Sequence, residues 1–437
     1  MKRLIFFIFI LFITNTLFAQ HQIEYWENNN KKSEGTLVNG KEDSLWIYYY
    51  SNGNKKMEAY YKEGVRVGNW KTWYSTGQLW TDYYPDSGTF SSWYPNGALE
   101  CSGFFKNYLK NGEWNFYHNN GQLSKKCSYI ADSLEGLCEE FYPNGKRLFK
   151  GTYFHNQLQG VGTWWYENGK REMQGKLSNG LQDSIWHFYH DNGKLGSKGK
   201  FIEGLQDSIW TYYYETGEKW KSGQFKEGKR QGMWIAWYEN GKKQREGAFL
   251  DDKEQGYWIQ WYENGKTMDE GYFDAGKMCD NWQGWYPSGV KKYSIQYRNN
   301  IKNGTYIYYW ENGKLRSKGQ YKNGKKEGKW EEYSQLGNPL ETGKYKNDKK
   351  EGLWSFYGRK GEIVRKQSFA NHLPKGKWIE YYPNGKKQCQ GSYDNLVKTG
   401  TWTYYDETGK IVYKVKYKNG LKHKVLVDVK STPKKPQ

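Results

Sequence analysis

Aromatic and β-branched residues alternate with polar ones in short runs, each closed by a turn signal, and the arrangement recurs every 24 residues. The glycine of segments such as Tyr50-Ser51-Asn52-Gly53, Tyr166-Glu167-Asn168-Gly169 and Tyr262-Glu263-Asn264-Gly265 marks the period. It returns from Gly53 to Gly409 at steps of 24, except between Gly77 and Gly97, where the step is 20. Asn29 holds the same place one step earlier, so about seventeen frames are countable. Four residues before the marker every frame is aromatic, from Tyr25 to Tyr405. Seven before it lies Trp in twelve frames, and eight after it Tyr or Phe in fourteen of the seventeen. Repetition at a fixed period in this range is the signature of a repeat architecture.

Each frame reads as two strands. Trp378-Ile379-Glu380-Tyr381-Tyr382 is aromatic and β-branched, ends in Pro383-Asn384-Gly385, and resumes at Lys386 through Tyr393. Asn-Gly supplies the positive φ angles of tight hairpin turns. A second turn, as in Lys322-Asn323-Gly324-Lys325, precedes the next Trp. No segment has a helical apolar period, so the expected fold is all-β: an elongated, twisted solenoid of about seventeen antiparallel β-hairpin repeats.

With a two-residue Asn-Gly loop at the first turn, Trp378 faces Gly391, and a ring over a bare glycine shields a weak strand position. With a four-residue loop at the second turn, the same two phases meet again in the neighbouring hairpin. In one place both phases are cysteine, at Cys127 and Cys138, which predicts a cross-strand disulfide. The remaining cysteines, Cys101, Cys279 and Cys389, are scattered, so the fold does not rest on a disulfide framework. The 20-residue frame has Tyr84-Pro85-Asp86-Ser87-Gly88 for its second turn, and a kink is expected at Pro85.

Lys2 and Arg3, the apolar run Leu4–Thr14 and the small residue Ala19 predict a secretory signal peptide over 1–19, cleaved after Ala19. The run is shorter than the roughly 20 residues of a bilayer span, and no other stretch could cross as a helix. The array then covers 20–424, Val425-Leu426-Val427-Asp428-Val429 predicts a capping strand at 425–430, and 431–437 is a basic tail expected to be disordered. The expected location is periplasmic, cell-surface or secreted.

Composition sharpens this picture. Only 36% of residues are hydrophobic, yet 19% are aromatic, whereas disordered chains are poor in aromatics. Order therefore comes from rings stacked between repeats, not from an aliphatic core. The net charge of +20, from 67 Lys and Arg against 47 Asp and Glu, suits anionic partners such as lipid headgroups or acidic glycans, or serves to solvate turns and guard sheet edges.

The units, with Gly-x-Trp-x-x-Tyr-Tyr-x-x-Asn-Gly-Lys and a later Gly-x-Tyr, resemble the MORN repeat, in particular its bacterial variant. Gly376-Lys377-Trp378 through Gly385-Lys386 and Gly328-Lys329-Trp330-Glu331-Glu332-Tyr333 carry the resemblance, which extends over roughly 22–424. It implies a β-hairpin solenoid acting in protein–protein contact or scaffolding, or in phospholipid association. Some bacterial relatives are labelled antitoxins, which in an exported chain implies an immunity role outside the cytoplasm.

Candidate chemistry is sparse. His187 and His190, three apart on a strand, point to opposite faces and suit no shared metal; His118 and His190 occupy a phase that is mostly Tyr. Asp183 and Asp207 look like paired carboxylates, but the identical Leu-Gln-Asp-Ser-Ile-Trp around each marks a duplicated unit. No nucleophile with its base, cofactor loop or metal cluster is visible, and no enzymatic activity is expected. The leading expectation is an exported scaffold for protein partners. The alternative is glycan or anionic-lipid binding by rings expected to face a ligand, Tyr166, Tyr238 and Trp310, beside Lys-rich turns. Nucleic acid suits an exported chain poorly.

Overall fold

A computed structural model describes residues 18–84 and 88–429. Thirty-five strands and no helix are present among the described residues. The chain divides into two compact units, Met1–Leu205 and Gln206–Gln437. Within each, every strand pairs antiparallel with its sequence neighbour, so each unit is a run of hairpins. Most of the predicted signal segment, the bend expected at Pro85 and the basic tail lie outside the described residues.

One repeat of the second unit shows how the residues produce the register. Strand β31 (Leu373–Tyr381) pairs with β32 (Lys387–Asp394), and β32 with β33 (Val397–Tyr405). The first turn is not the two-residue Asn-Gly loop expected. Gly385 donates its N–H to the Tyr382 carbonyl at 2.9 Å, and Tyr382 donates to the Lys386 carbonyl at 2.8 Å. This is a type I turn followed by a glycine at φ 81°, a three-residue loop with a bulge at Tyr381. The bulge adds back the residue that the longer loop removes, so Trp378 still faces Gly391.

The second turn also departs from expectation. Its loop has two residues, Asn395 and Leu396, both at positive φ, closed by the pair Asp394 and Val397. The register then slips between Gln390 and Ser392, where Gly400 at φ 65° lets β33 bulge. The slip restores the alignment that a four-residue loop would have given. It sets the indole of Trp402 against Gly391: a Cβ built there would lie 2.3 Å from the ring. The ring that covers a glycine is thus the next Trp in sequence. Lying flat on the strand, its Nε1–H reaches the Ser392 carbonyl at 3.2 Å. Trp330 on Gly319 and Trp354 on Gly343 repeat the arrangement.

In the first unit, β10 (Leu123–Ile130) and β11 (Ser133–Phe141) place Cys127 opposite Cys138 at this same position. Their Cα atoms are 4.2 Å apart and the sulfurs are joined. Both cysteines are buried, with Phe149 packed beside them. The following repeat has glycine at both places, Gly151 and Gly162, and Phe149, Leu158 and Trp164 fill the space. At the other end of the chain, β35 (Leu421–Asp428) includes most of the segment expected to form a cap, and pairs with β34 (Ile411–Lys418).

Candidate functional site

Strand alternation puts the Trp row on one face together with the residue two positions later. Trp46 and Tyr48, or Trp186 and Phe188, stack at about 6 Å. The Trp row is nearly constant, and cations cap it. Lys326, Lys350 and Lys398 lie 4.4, 4.1 and 4.1 Å from the rings of Trp330, Trp354 and Trp402. Such contacts are worth about 0.5–2 kcal/mol each, most where water is excluded.

The second row on this face varies. In the second unit it runs cross-strand through Tyr308, Ser317, Glu332, Glu341 and Phe356. Two carboxylates are adjacent there, and each takes a Lys from the Trp row: Glu332 pairs with Lys326 at 3.8 Å, Glu341 with Lys350 at 2.7 Å. Further along, Cys389 sits between Glu380 and Tyr404. Burial, then the Glu380 carboxylate, pushes its thiol up to about 12. In the same row burial raises the Asp269 carboxyl, opposed by a hydrogen bond from Tyr293, and its Oδ1 has no partner.

The rings three before the marker use their polar ends within the array. Tyr166 donates its hydroxyl to the Tyr189 carbonyl and Tyr238 to that of Trp261, both at 2.8 Å, while Trp310 Nε1 donates to Tyr333 at 3.0 Å. All three are half-buried. Tyr166 and Tyr238, expected to face a ligand, thereby act through their hydroxyls as bolts between successive repeats. His118 does the same through Nε2 to the Phe141 carbonyl at 2.9 Å. The residue three after the marker packs on the bolt ring, as Trp80 does on Tyr74, Lys292 on Tyr286 and Arg316 on Trp310.

Trp310 differs from the other two. The next frames have Ser334 and Gly358 in place of a bolt ring. A cleft of about 380 Å³ lies beside it, lined by Tyr308, Trp310, Arg316, Lys326, Glu332 and Leu340 among others. On the opposite face, a cleft of about 450 Å³ is lined by Ile307, Lys318, Lys329 and Glu331. Glu331 is neutralised by both lysines and bonded by the Tyr333 hydroxyl.

The other candidates are structural. Asp183 and Asp207 each accept from the next serine, Ser184 and Ser208, which stand at φ 62° and 60° where other repeats have the bulge glycine. His187 lies within β15 (Leu181–Tyr189), and His190 in the turn after it. Among the described residues no group of three or more possible metal ligands is found, and no helix is long and apolar enough to cross a membrane.

The family profile of the MORN repeat variant matches nine segments: 42–63, 87–107, 110–131, 134–155, 158–179, 254–275, 302–323, 374–395 and 398–419. The chain is a MORN-repeat protein. MORN repeats are in general interaction repeats, for protein or lipid. No curated protein matches this MORN chain. Solved structures that do include the crystal structure of TcdB2-TccC3-TEV, at 11% identity over 91% of this chain and 23% of that one, TM-score 0.14. The Photorhabdus luminescens Tc holotoxin pore matches at 9% identity over 92% of this chain and 30% of that one, TM-score 0.12. The chain thus spans under a third of these structures' length, and scores so low carry no argument about the MORN array.

Proposed function

We propose that this MORN array is an exported, non-catalytic scaffold that holds a protein partner on the sheet face opposite the Trp rows. The observation that carries the reading is a stripe of exposed apolar side chains on the face away from the Trp ladder. In the second unit Ile209, Met233 and Tyr257 each immediately precede a buried Trp, and they are 68%, 57% and 45% exposed. They belong to β17 (Leu205–Tyr213), β19 (Lys229–Trp237) and β21 (Lys253–Trp261), in the same phase of successive repeats. The next frames put Asn281, Thr305 and Lys329 in that phase, so the run is interrupted there, with Leu353 a single apolar return. Leu137, Val161 and Ile185 form its equivalent in the first unit. Aligned exposed apolar residues mark contact surfaces, and a few central ones carry most of the binding energy.

Export rests on Lys2, Arg3, the run Leu4–Thr14 and Ala19, and N-terminal sequencing of the protein from cell fractions tests it. The binding role is tested by purification from the native cells, comparing wild type with Ile209→Glu, Met233→Glu and, as control, Thr305→Glu. A partner lost with the first two and kept with the third is expected. A partner retained by the folded stripe variants refutes the reading.

A further inference from the structure

We propose that the cleft beside Trp310 is a glycan subsite that receives an acidic sugar unit, a hexuronate of a polysaccharide. The cleft exists because two small residues coincide. Ser317 stands in the second row between Tyr308 and Glu332, where bulkier side chains are common. Ser334 then takes the place of the bolt ring that would otherwise follow Trp310, and Gly358 does so again one repeat later. Trp310 is therefore the last ring before a break in its row, and Leu340, which would pack on the missing ring, is 43% exposed. A volume of about 380 Å³ falls in the range of small-molecule sites, roughly 300–1,000 Å³.

The lining suits a sugar acid in three respects. Trp310, Tyr308 and Leu340 give the cleft an apolar wall against which the C–H face of a pyranose can pack. Arg316 lies over both rings, 4.5 Å from Trp310 and 5.4 Å from Tyr308. It is the residue displaced by the bulge, lying between Leu315 and Ser317 in the register, and has no acidic partner among the described residues. A guanidinium held flat on a ring keeps its N–H edge free for a carboxylate, which it can bind through two parallel hydrogen bonds. On the other wall Glu332 and Lys326, paired at 3.8 Å, supply an acceptor and a donor for sugar hydroxyls. Neutral sugars would use the rings and this pair alone, so Arg316 sets the preference for acid. The subsite lies on the opposite face from the proposed partner stripe and stands or falls separately from it.

The test uses the full exported chain and trimers of galacturonate and glucuronate, with the carboxyl-reduced neutral trimers for comparison, by isothermal titration calorimetry and saturation-transfer NMR. An acidic trimer is expected to bind about tenfold or more tightly than its neutral counterpart, the range of a charge-assisted hydrogen bond. Arg316→Gln removes that difference while leaving residual neutral binding. Ser334→Tyr restores the consensus ring and plugs the cleft, so it abolishes binding while circular dichroism and the melting temperature stay at or above wild type. Tyr238→Phe, in a bolt outside the cleft, leaves binding intact. Three results overturn the proposal: no binding of any trimer by the folded protein, wild-type binding by folded Ser334→Tyr, or an undiminished acid preference in Arg316→Gln.

Discussion

Gly343→Ala tests the central packing claim, that the fold depends on an indole lying on a bare strand. Gly343 needs no unusual φ, so alanine brings no backbone strain and the effect isolates the missing Cβ. That atom would lie 2.1, 2.3 and 2.4 Å from Cδ2, Cε2 and Cγ of Trp354, well inside the ring. Relief requires the indole to lift. It would then lose its bond to the Lys344 carbonyl at 3.1 Å, worth about 1 kcal/mol. Also lost are the Lys350 contact at 4.1 Å, about 0.5–2 kcal/mol, and the edge packing on Tyr345 at 4.9 Å, about 0.5–1.5 kcal/mol. The sum is about 3 kcal/mol before any ring burial is counted. In a one-dimensional array the loss stays near its origin. Amide exchange should accelerate about a hundredfold in β28 (Pro339–Lys346) and β29 (Lys349–Tyr357) and little several repeats away. Trp354→Leu should cost much less in the Gly343→Ala background than alone. Exchange within threefold of wild type in those strands, or simple additivity of the two substitutions, would refute the argument.

Two further outcomes concern cysteine. Non-reducing peptide mapping of the protein from its native cells should recover the peptides of Cys127 and Cys138 linked, as their direct opposition in the register requires; recovery of both as free thiols refutes the pairing. Cys389 should resist alkylation in the native protein. With its thiol pushed up to about 12, the thiolate fraction at pH 9 is about a thousandth, against about half for an unburied thiol of pKa 9, and only the thiolate reacts. Labelling should accelerate as the pH rises towards 12 or on unfolding; rapid labelling of folded protein at pH 9 sinks the assignment.

The sequence carried the fold because its period fixed the phases, and the phases fixed which residues oppose each other. Trp378 faces Gly391, and Gly391 meets Trp402 of the next hairpin, although the loop length assumed for each pairing was wrong. Each turn carries a bulge that compensates for its loop, so the alignment depends only on the number of residues between the two phases. What the sequence hid was direction. The Tyr238 hydroxyl donates to the Trp261 carbonyl, a contact set by how successive turns stack and not by phase alone. The Ser334 and Gly358 interruptions were legible as departures from a ring phase, but only the bolt geometry shows what their absence opens.

The two rows on the Trp face divide the molecule's work. A residue in the first row is bound to its neighbours by register: change Gly343 and Trp354 has to lift from the strand. Some exceptions come in pairs, Cys127 with Cys138 and Ile295 with Tyr306, while Ala59 opposite Trp70 and Gln367 opposite Trp378 keep the Trp without the glycine, and both indoles are only half-buried. The second row has no such partner rule, so Ser317, Glu332, Arg365 and Cys389 follow one another without a common size or charge. Variation tolerated by the fold accumulates there, beside a constant row of rings and cations that holds it in place. An array built this way can alter what it binds one repeat at a time while its Trp ladder stays unchanged. That is why a surface for a particular ligand is to be sought where the second row and the bolt row both depart from their usual residues, as they do around Trp310.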